Sequence, residues 1–244
     1  MSSSPIFLSI IFPAHNEEGR IAATLQRTIA FLNSQPYTSE ILVVENGSLD
    51  RTFELASSFQ NQFTALRVIH EDRRGKGLAV KRGMLEAGGQ YRIICDVDLS
   101  MPITEVQRFL PPNVETDICI ASREAPGASR YNEPGYRHFI GRVFNFIVRL
   151  LVLPGLHDSQ CGFKCFSANA ASSLFPMQTV NGWTFDVEIL FIARKLGYQT
   201  VELGIPWHHD PHSRVRVIRD SIQMMVDLLK IRWNDLRGRY AKKV

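Results

Sequence analysis

The sequence predicts an α/β fold: a single domain over residues 1–244, with a mostly parallel central sheet flanked by helices. Three observations predict it. Short apolar runs alternate with helix-patterned stretches four times between Ile6 and Cys95, the pattern of a parallel sheet with helices on both faces. The first run is continuously apolar, as in a strand buried on both sides. The chain has 244 residues, 45% of them hydrophobic, which is enough for one sizeable core, and no linker divides it.

Ile6–Phe12 is the first strand. Asn16 is placed to cap a helix whose apolar residues Ile21, Leu25, Ile29 and Leu32 share a face, and Gln35-Pro36 ends it. Ile41–Val44 is the second strand, and Asn46-Gly47-Ser48 turns into a helix near Asp50–Phe59. Leu66–His70 is the third strand. A helix from about Gly77 to Ala87 stops at Gly88-Gly89. Tyr91–Cys95 is the fourth strand. Ligands of such sheets bind beyond the carboxyl ends of the strands. Pro13–Glu18, Glu45–Ser48, His70–Lys76 and Asp96–Ser100 all follow strands, so they are expected along one edge.

The second half is less regular. Ile118–Ala121 is a short strand. REAPGASRYNEPGYRH, Arg123 to His138, is a long Gly- and Pro-bearing loop of the kind that forms lids. A helix then runs to about Leu153 and stops at Pro154-Gly155. DSQCGFKCF follows, then a helix around Asp186–Leu196, the loop WHHDPHSR and a last helix over Val215–Leu236.

Lys plus Arg number 28 against 24 Asp plus Glu, a net charge of +4. This excess suits an anionic small molecule or a membrane surface. It is too diffuse for nucleic acid, which needs a clustered basic face. MSSSPIFLSIIFPAHNEE lacks the basic start of a signal peptide, and its apolar run ends in Pro13, His15 and Asn16. No apolar run reaches the roughly 20 residues of a membrane span. The expectation is a cytoplasmic protein in which Cys95, Cys119, Cys161 and Cys165 are reduced, structural thiols. His208, His209 and His212 share a Pro-bearing loop and are read as loop residues rather than as a metal cluster.

In YRIICDVDLSMP, Asp96 and Asp98 flank one residue at the tip of the fourth strand. In extended backbone such residues point the same way, so the two carboxylates repel each other. A hard divalent cation relieves that repulsion, and Mg²⁺ or Mn²⁺ favours such oxygens together with substrate phosphates. The competing reading is a solvated turn with Asp98 capping a helix ahead of Pro102. In RRGKGLAVKRG, Gly75 and Gly77 let backbone approach a ligand, and Lys76 adds charge near a helix N-terminus, which suits phosphate. The Walker spacing is absent, and a solvated basic loop fits the same residues.

The segments FPAHNEE, VVENGSLDRT, RRGKGLAVKRGM, CDVDLSMP, ASR, DSQCGFKCF, GWTFDVEIL and HSRV occur in this order. Together they resemble the inverting GT-A glycosyltransferases. Among these they look most like the polyprenyl-phosphate sugar transferases of the dolichyl-phosphate glucosyltransferase type, and next the mannosyltransferase type, over about Ile6 to Trp233. The resemblance implies a GT-A fold, with about residues 6–122 binding a nucleotide sugar and about 123–244 binding the acceptor. It implies that Pro13, Ala14, Asn16 and Glu17 hold the base and ribose. Glu45 and Asn46 stand where the family more often has two Asp, and an acceptor there takes the N3–H proton of uracil; a plain turn at Asn46-Gly47 competes with this reading. Lys76, Asp96 and Val97 complete the implied donor site. Asp96 lies near ribose and metal, Asp98 is the stronger metal ligand, and Ser100 sits where some relatives supply a further ligand side chain. The implied cofactor is Mg²⁺ or Mn²⁺.

On the acceptor side, the resemblance makes Asp158 the catalytic carboxylate. Either it takes a proton from the attacking oxygen or it orients that oxygen, since a phosphate acceptor is already ionised. A turn residue after Pro154-Gly155 is the alternative. Gln160, Phe163 and Lys164 are expected to shape the sugar pocket. Arg123, Arg137 and Arg214 match positions that grip phosphates of donor and lipid acceptor, a task suited to bidentate guanidinium. In HSRV, His212 replaces the more usual Gly. Glu188 either contacts a sugar hydroxyl or caps buried backbone, and Trp183 either stacks on a sugar ring or belongs to the core.

The helix over 137–153 carries His138, Arg142, Asn145 and Arg149 as one narrow polar stripe in an otherwise apolar surface. Such a helix packs in a core or lies in a membrane interface. With a polyprenyl acceptor, peripheral membrane contact is expected. Ile218, Ile222, Met225 and Leu229 share a face of the last helix and read as ordinary packing. Lys230, Arg232, Arg237, Arg239, Lys242 and Lys243 then give a basic end, attracted to anionic lipid by roughly 1 kcal/mol per residue near the surface. A solvated tail fits as well.

The function expected is metal-dependent, inverting transfer of a hexose, glucose foremost, from a UDP-sugar to a polyprenyl phosphate (dolichyl or undecaprenyl), peripherally at the cytoplasmic membrane face. Use of GDP-mannose, or of a soluble acceptor, competes with it. A non-catalytic nucleotide or glycan binder needs neither Asp98 nor Asp158. A nicotinamide oxidoreductase is disfavoured because the first strand ends in PAHNEEG without Gly-x-Gly-x-x-Gly.

Overall fold

The computed structural model describes residues 5–211 and 217–241. β1 (Leu8–Ala14), β2 (Ser39–Asn46), β3 (Leu66–Glu71) and β4 (Tyr91–Ile94) run parallel in the spatial order β3-β2-β1-β4. Their crossovers carry α1 (Ile21–Asn33), α2 (Thr52–Ser58) and α3 (Lys76–Glu86). Beyond β4 the sheet continues through β7 (Lys164–Ser167), β5 (Ile118–Ser122) and β8 (Thr200–Gly204). β7 is antiparallel to both β4 and β5, whereas β5 and β8 are parallel. The mostly parallel sheet is therefore present, with one reversed strand inside it.

Apolar side chains leave both faces of the sheet. Ile11, Leu42, Val44 and Ile94 pack beneath α3, α5 (Ala168–Leu174) and α6 (Phe185–Lys195). Ile10, Phe12, Ile41, Val43 and Ile93 pack on the other face with α1 and the 3-10 turn Ile103–Phe109. Gly83 brings α3 flush onto the sheet: a Cβ there would lie 2.4 Å from Ile11 Cγ2 and 3.1 Å from Val44 Cγ2.

Asn16 does not cap α1. The helix begins at Ile21, and Asn16 sits upstream in the left-handed region at φ 52°, where its Oδ1 accepts the Leu49 N–H at 2.7 Å. Within the expected long loop, β6 (Ser129–Tyr131) pairs in parallel with β9 (Pro206–His208) as a separate ribbon.

α4 (Gly135–Leu151) and α7 (Val217–Leu236) pack against each other. α4 buries only Phe144, Asn145 and Val148, so its polar stripe is split: Asn145 turns inward while Arg142 and Arg149 face out. Phe139 and Leu150 of this helix are 68% and 71% exposed. α7 overturns the expectation of ordinary packing through Ile222 and Leu229. It buries Leu228, Ile231 and Asn234, and exposes Ile222, Val226, Leu229, Trp233 and Leu236, spaced to form one continuous stripe. The Ile218 side chain, Lys242 and Lys243 lie outside the described residues.

Gly83→Ala sets two effects against each other. The alanine favours the helix by about 1 kcal/mol, but its methyl overpacks against β-branched Ile11. Overpacking wins at this separation, and urea unfolding is expected to show a net loss of about 2 kcal/mol.

Candidate active site

The loops that follow the four parallel strands meet along one edge and are knitted together there. His15 donates from Nδ1 to the Asn46 carbonyl at 2.9 Å and accepts from Arg74 at Nε2, 2.6 Å away. The Asn16 N–H donates to Ser48 Oγ at 2.9 Å, and the Thr24 hydroxyl donates to the Val97 carbonyl at 2.5 Å. Pro13 lies on β1 past its last pairing with β4, where its missing N–H costs little, and Ala14 beside it is fully buried.

Two carboxylates of this edge are held within the protein. Glu17 pairs with Arg20, which also pairs with Asp210. Glu45, buried at the end of β2, accepts from the Ser48 N–H and from His70 Nδ1, 2.5 Å away. That bond holds the His70 imidazole above its ordinary pKa. Asn46 beside it is also buried.

Asp96 and Asp98 face an open cleft of about 250 Å³, lined also by Cys95, Ser100, Cys161 and Trp207. Asp98 accepts the Ser100 N–H at 2.9 Å. Burial raises its pKa, and the Asp96 charge raises it further. Lys76 Nζ lies 2.6 Å from Asp96 Oδ1 and 5.4 Å from the centre of the Trp183 ring. Burial opposes the Lys76 charge, but Asp96 and Asp186 outweigh it and hold the ammonium above its ordinary range. Asp186 is buried and pairs with Lys164 at 3.0 Å. Two lysines thus face three aspartates, leaving one negative charge in excess. Gly162 completes the cradle: a Cβ there would lie 1.9 Å from Asp96 Oδ2.

These residues fit a hard divalent cation. The cleft offers carboxylate oxygens and an uncompensated negative charge. Among the described residues no three Asp, Glu, His or Cys side chains converge as a metal cage. Mg²⁺ and Mn²⁺ sites of this kind take one or two carboxylates and fill the remaining positions with phosphate and water. In the histidine loop, His208 stacks on Tyr131 at 4.6 Å and His209 lies beside Trp207.

Asp158 is fully buried and bound by Arg123, whose Nε is 2.6 Å from Oδ2 and whose second nitrogen is 2.9 Å from Oδ1. The backbone N–H groups of Arg123 and Gln160 also donate to it. Burial alone would raise the Asp158 carboxyl, but Arg123 overrides this and holds it well below the ordinary carboxylate range. A carboxylate with both oxygens committed to the Arg123 guanidinium suits a positioning group rather than a base. Arg123 in turn lies 5.3 Å from the Trp207 ring, with Arg130 5.9 Å from it, so the pair flanks the cleft.

Several expected ligand contacts have other partners. Gly75 and Gly77 bring the start of α3 against the chain rather than a ligand, since Cβ atoms there would lie 2.4 Å from the Asn181 carbonyl and 2.7 Å from the Val180 carbonyl. Lys164 is buried on β7, bound to Asp186 and the Cys161 carbonyl, so it does not reach an acceptor. Glu188 is fully buried, and its oxygens accept from Thr179 N and Oγ1, Val180 N and Tyr240 Oη, which is the capping alternative. Gln160 turns its amide toward Met224 Sδ, 3.8 Å away. Phe163 does line the cleft. Arg137 is partly buried on α4 and forms no ion pair among the described residues. Arg214 and His212 lie outside the described residues. Trp207, Gly162 and Arg130 went unread as site residues. Trp207 carried a signal, an aromatic directly after the alternating, strand-like stretch VELGIP and ahead of a polar loop.

Fold and cleft together define a glycosyltransferase of the GT-A type. Residues 9–175 match the model of glycosyl transferase family 2, and the chain belongs to that family. It is 32% identical over 248 residues to the dolichyl-phosphate β-glucosyltransferase of Dictyostelium discoideum, covering 96% of this chain and 76% of that protein. The protein of the same name from Saccharomyces cerevisiae is 33% identical over 257 residues, covering 96% and 77%. Among solved structures, glucosyl-3-phosphoglycerate synthase of Mycobacterium tuberculosis in complex with UDP has a similar fold, with a TM-score of 0.67 at 21% identity, covering 93% of this chain and 80% of that one.

Gly162→Ala forces Asp96 out of its cradle without touching the core. Mn²⁺ affinity, read by electron paramagnetic resonance in the presence of UDP, is expected to fall by about tenfold or more, with the melting temperature nearly unchanged.

Proposed function

We propose that this protein transfers glucose, with inversion, from UDP-glucose to a polyprenyl phosphate such as dolichyl phosphate, in the presence of Mg²⁺ or Mn²⁺. The observation that carries this reading is the Asp96–Asp98 pair, facing a cleft at the carboxyl edge of the parallel strands with Lys76 beside it. The named activity of the relatives that match nearly the whole chain supports the choice of sugar and acceptor. Residues 6–122 serve the donor. Pro13, Ala14, Asn16, Glu17, Glu45 and Asn46 build the nucleotide end, and Asp96, Val97, Asp98 and Ser100 the diphosphate end. Residues 123–244 serve the acceptor.

Asp96 and Asp98 would hold the metal, which would supply positive charge to stabilise the departing diphosphate. The acceptor phosphate oxygen forms a bond to the anomeric carbon as the bond from that carbon to UDP breaks, and the electron pair leaves with UDP. A lipid phosphate is already ionised, so no base is required. Asp158 instead fixes Arg123, whose guanidinium faces the incoming phosphate, with Arg137 and Arg214 as further phosphate contacts.

The acceptor has a long apolar tail, and α4 and α7 offer matching surface. Their exposed faces hold Phe139, Phe146, Leu150, Leu229, Trp233 and Leu236, with Arg142, Arg149, Arg232 and Arg237 nearby. Such faces seat a protein peripherally on a bilayer, here the cytoplasmic leaflet. Among the described residues no helix is long and apolar enough to cross a membrane.

A screen of UDP- and GDP-sugars against a short polyprenyl phosphate tests the reading directly, and the product expected is the glucosylated lipid from UDP-glucose. Transfer only from GDP-mannose, or only to a soluble acceptor, would replace it. Asp98→Ala is expected to weaken Mn²⁺-dependent UDP binding by on the order of 100-fold, measured by calorimetry. Asp158→Asn is expected to keep UDP affinity and lose transfer by about 100-fold, the scale of a lost positioned donor; full transfer would remove Asp158 from the reaction. In co-sedimentation with anionic liposomes, Phe146→Ser combined with Trp233→Ser is expected to leave the protein in the supernatant while the wild type pellets.

A further inference from the structure

We propose that Lys76 is a resident cation that keeps the Asp96–Asp98 site from a metal until a nucleoside diphosphate draws its ammonium away, so that nucleotide and metal bind in partnership. This rests on the donor reading above and adds an order of events to it.

The geometry gives Lys76 a seat that it can leave. Its Nζ is 2.6 Å from Oδ1 of Asp96, a carboxylate that lines the open cleft, and its own side chain keeps 18% of its exposure. The Trp183 ring face supports the ammonium at 5.4 Å. Asp186 lies behind, but Lys164 already binds that carboxylate at 3.0 Å, so Asp96 is the principal anchor. Lysine is a single point charge on a flexible four-carbon stem, which suits movement between two anionic partners.

Asp96 cannot follow Lys76. Its other oxygen lies against Gly162, where even a methyl would stand 1.9 Å away, and the loop around Val97 is tied to α1 through Thr24. When the ammonium leaves, the carboxylate therefore stays beside Asp98. A divalent ion entering while Lys76 is seated meets a like charge within a few ångströms in a partly desolvated cleft. A diphosphate does the reverse, because its charge attracts the ammonium and exposes the carboxylate pair.

Mn²⁺ titration followed by electron paramagnetic resonance, with and without UDP, tests this in the full chain. Wild type is expected to bind Mn²⁺ weakly alone and on the order of 100-fold more tightly with UDP. Lys76→Met is expected to bind Mn²⁺ alone about tenfold more tightly than wild type and to lose most of the dependence on UDP. Lys76→Arg keeps the charge and is expected to restore the weak binding of metal alone. If Lys76→Met gains no affinity for Mn²⁺ alone, the proposal is overturned while the donor reading stands. If wild type binds neither UDP nor Mn²⁺, both are overturned. A readout on unsubstituted protein guards against a misfolded variant. With carbon-13-labelled lysine, the Lys76 Cε resonance is expected to shift when UDP is added without metal; a resonance that moves only after Mg²⁺ is added overturns the proposal.

Discussion

Four parallel strands must finish on the same edge, and the rest of the structure depends on that constraint. Each helical crossover returns the chain to the far side of the sheet, so every strand delivers its following loop to one place. The register sharpens this. Ala14 stands opposite Glu45, and Glu45 opposite His70, so the ends of these three strands are level with one another. β4 pairs with β1 only as far as Ile11–Ile94, which frees Asp96 and Asp98 to project past the ladder. Lys76 and Asp96 are far apart in the chain, and they meet because α3 starts where β4 stops.

Charge around the cleft is divided between fixed pairs and adjustable ones. Asp158 and Arg123 are interlocked by two side-chain bonds, with Asp158 wholly shielded from water, so the arginine is held in one orientation. Separating such a pair would strand a buried charge, a cost that keeps it rigid. Lys76 and Asp96 are joined through one nitrogen and remain partly open to solvent, so their link is easily exchanged. The rigid pair suits a wall that must keep its shape, whereas the other is the more open to exchange with solvent or a ligand.

The first half of the chain was legible because its signals are local. Apolar runs, Gly-Gly stops and polar tips place β1 to β4 within a few residues and bring His15, Asn46, Lys76 and Asp96 to one edge. The second half resists such reading because its strands are made by partners. Lys164-Cys165-Phe166-Ser167 has a charged residue at its start and is only four residues long, yet it becomes β7 because β4 and β5 leave a gap that both pair into. Residue type alone also misassigns roles when a buried counter-charge is distant in sequence. Lys164 resembles a ligand until Asp186 is placed beside it, and Glu188 until Thr179 and Tyr240 surround it. Gly75 and Gly77 were rightly read as close approaches, but the approaching group is the 180–181 backbone. On α7, the face with the better apolar spacing is the one left outside, which no periodicity reveals.

The outward faces of α4 and α7 also govern how the molecule behaves when no lipid is offered. A protein that keeps Phe139, Leu150 and Leu236 in water is a poor colloid. Burying apolar stripes of this kind against one another would remove them from water, which favours self-association in dilute buffer. A dimer held together by these stripes should come apart in mild surfactant without disturbing the cleft.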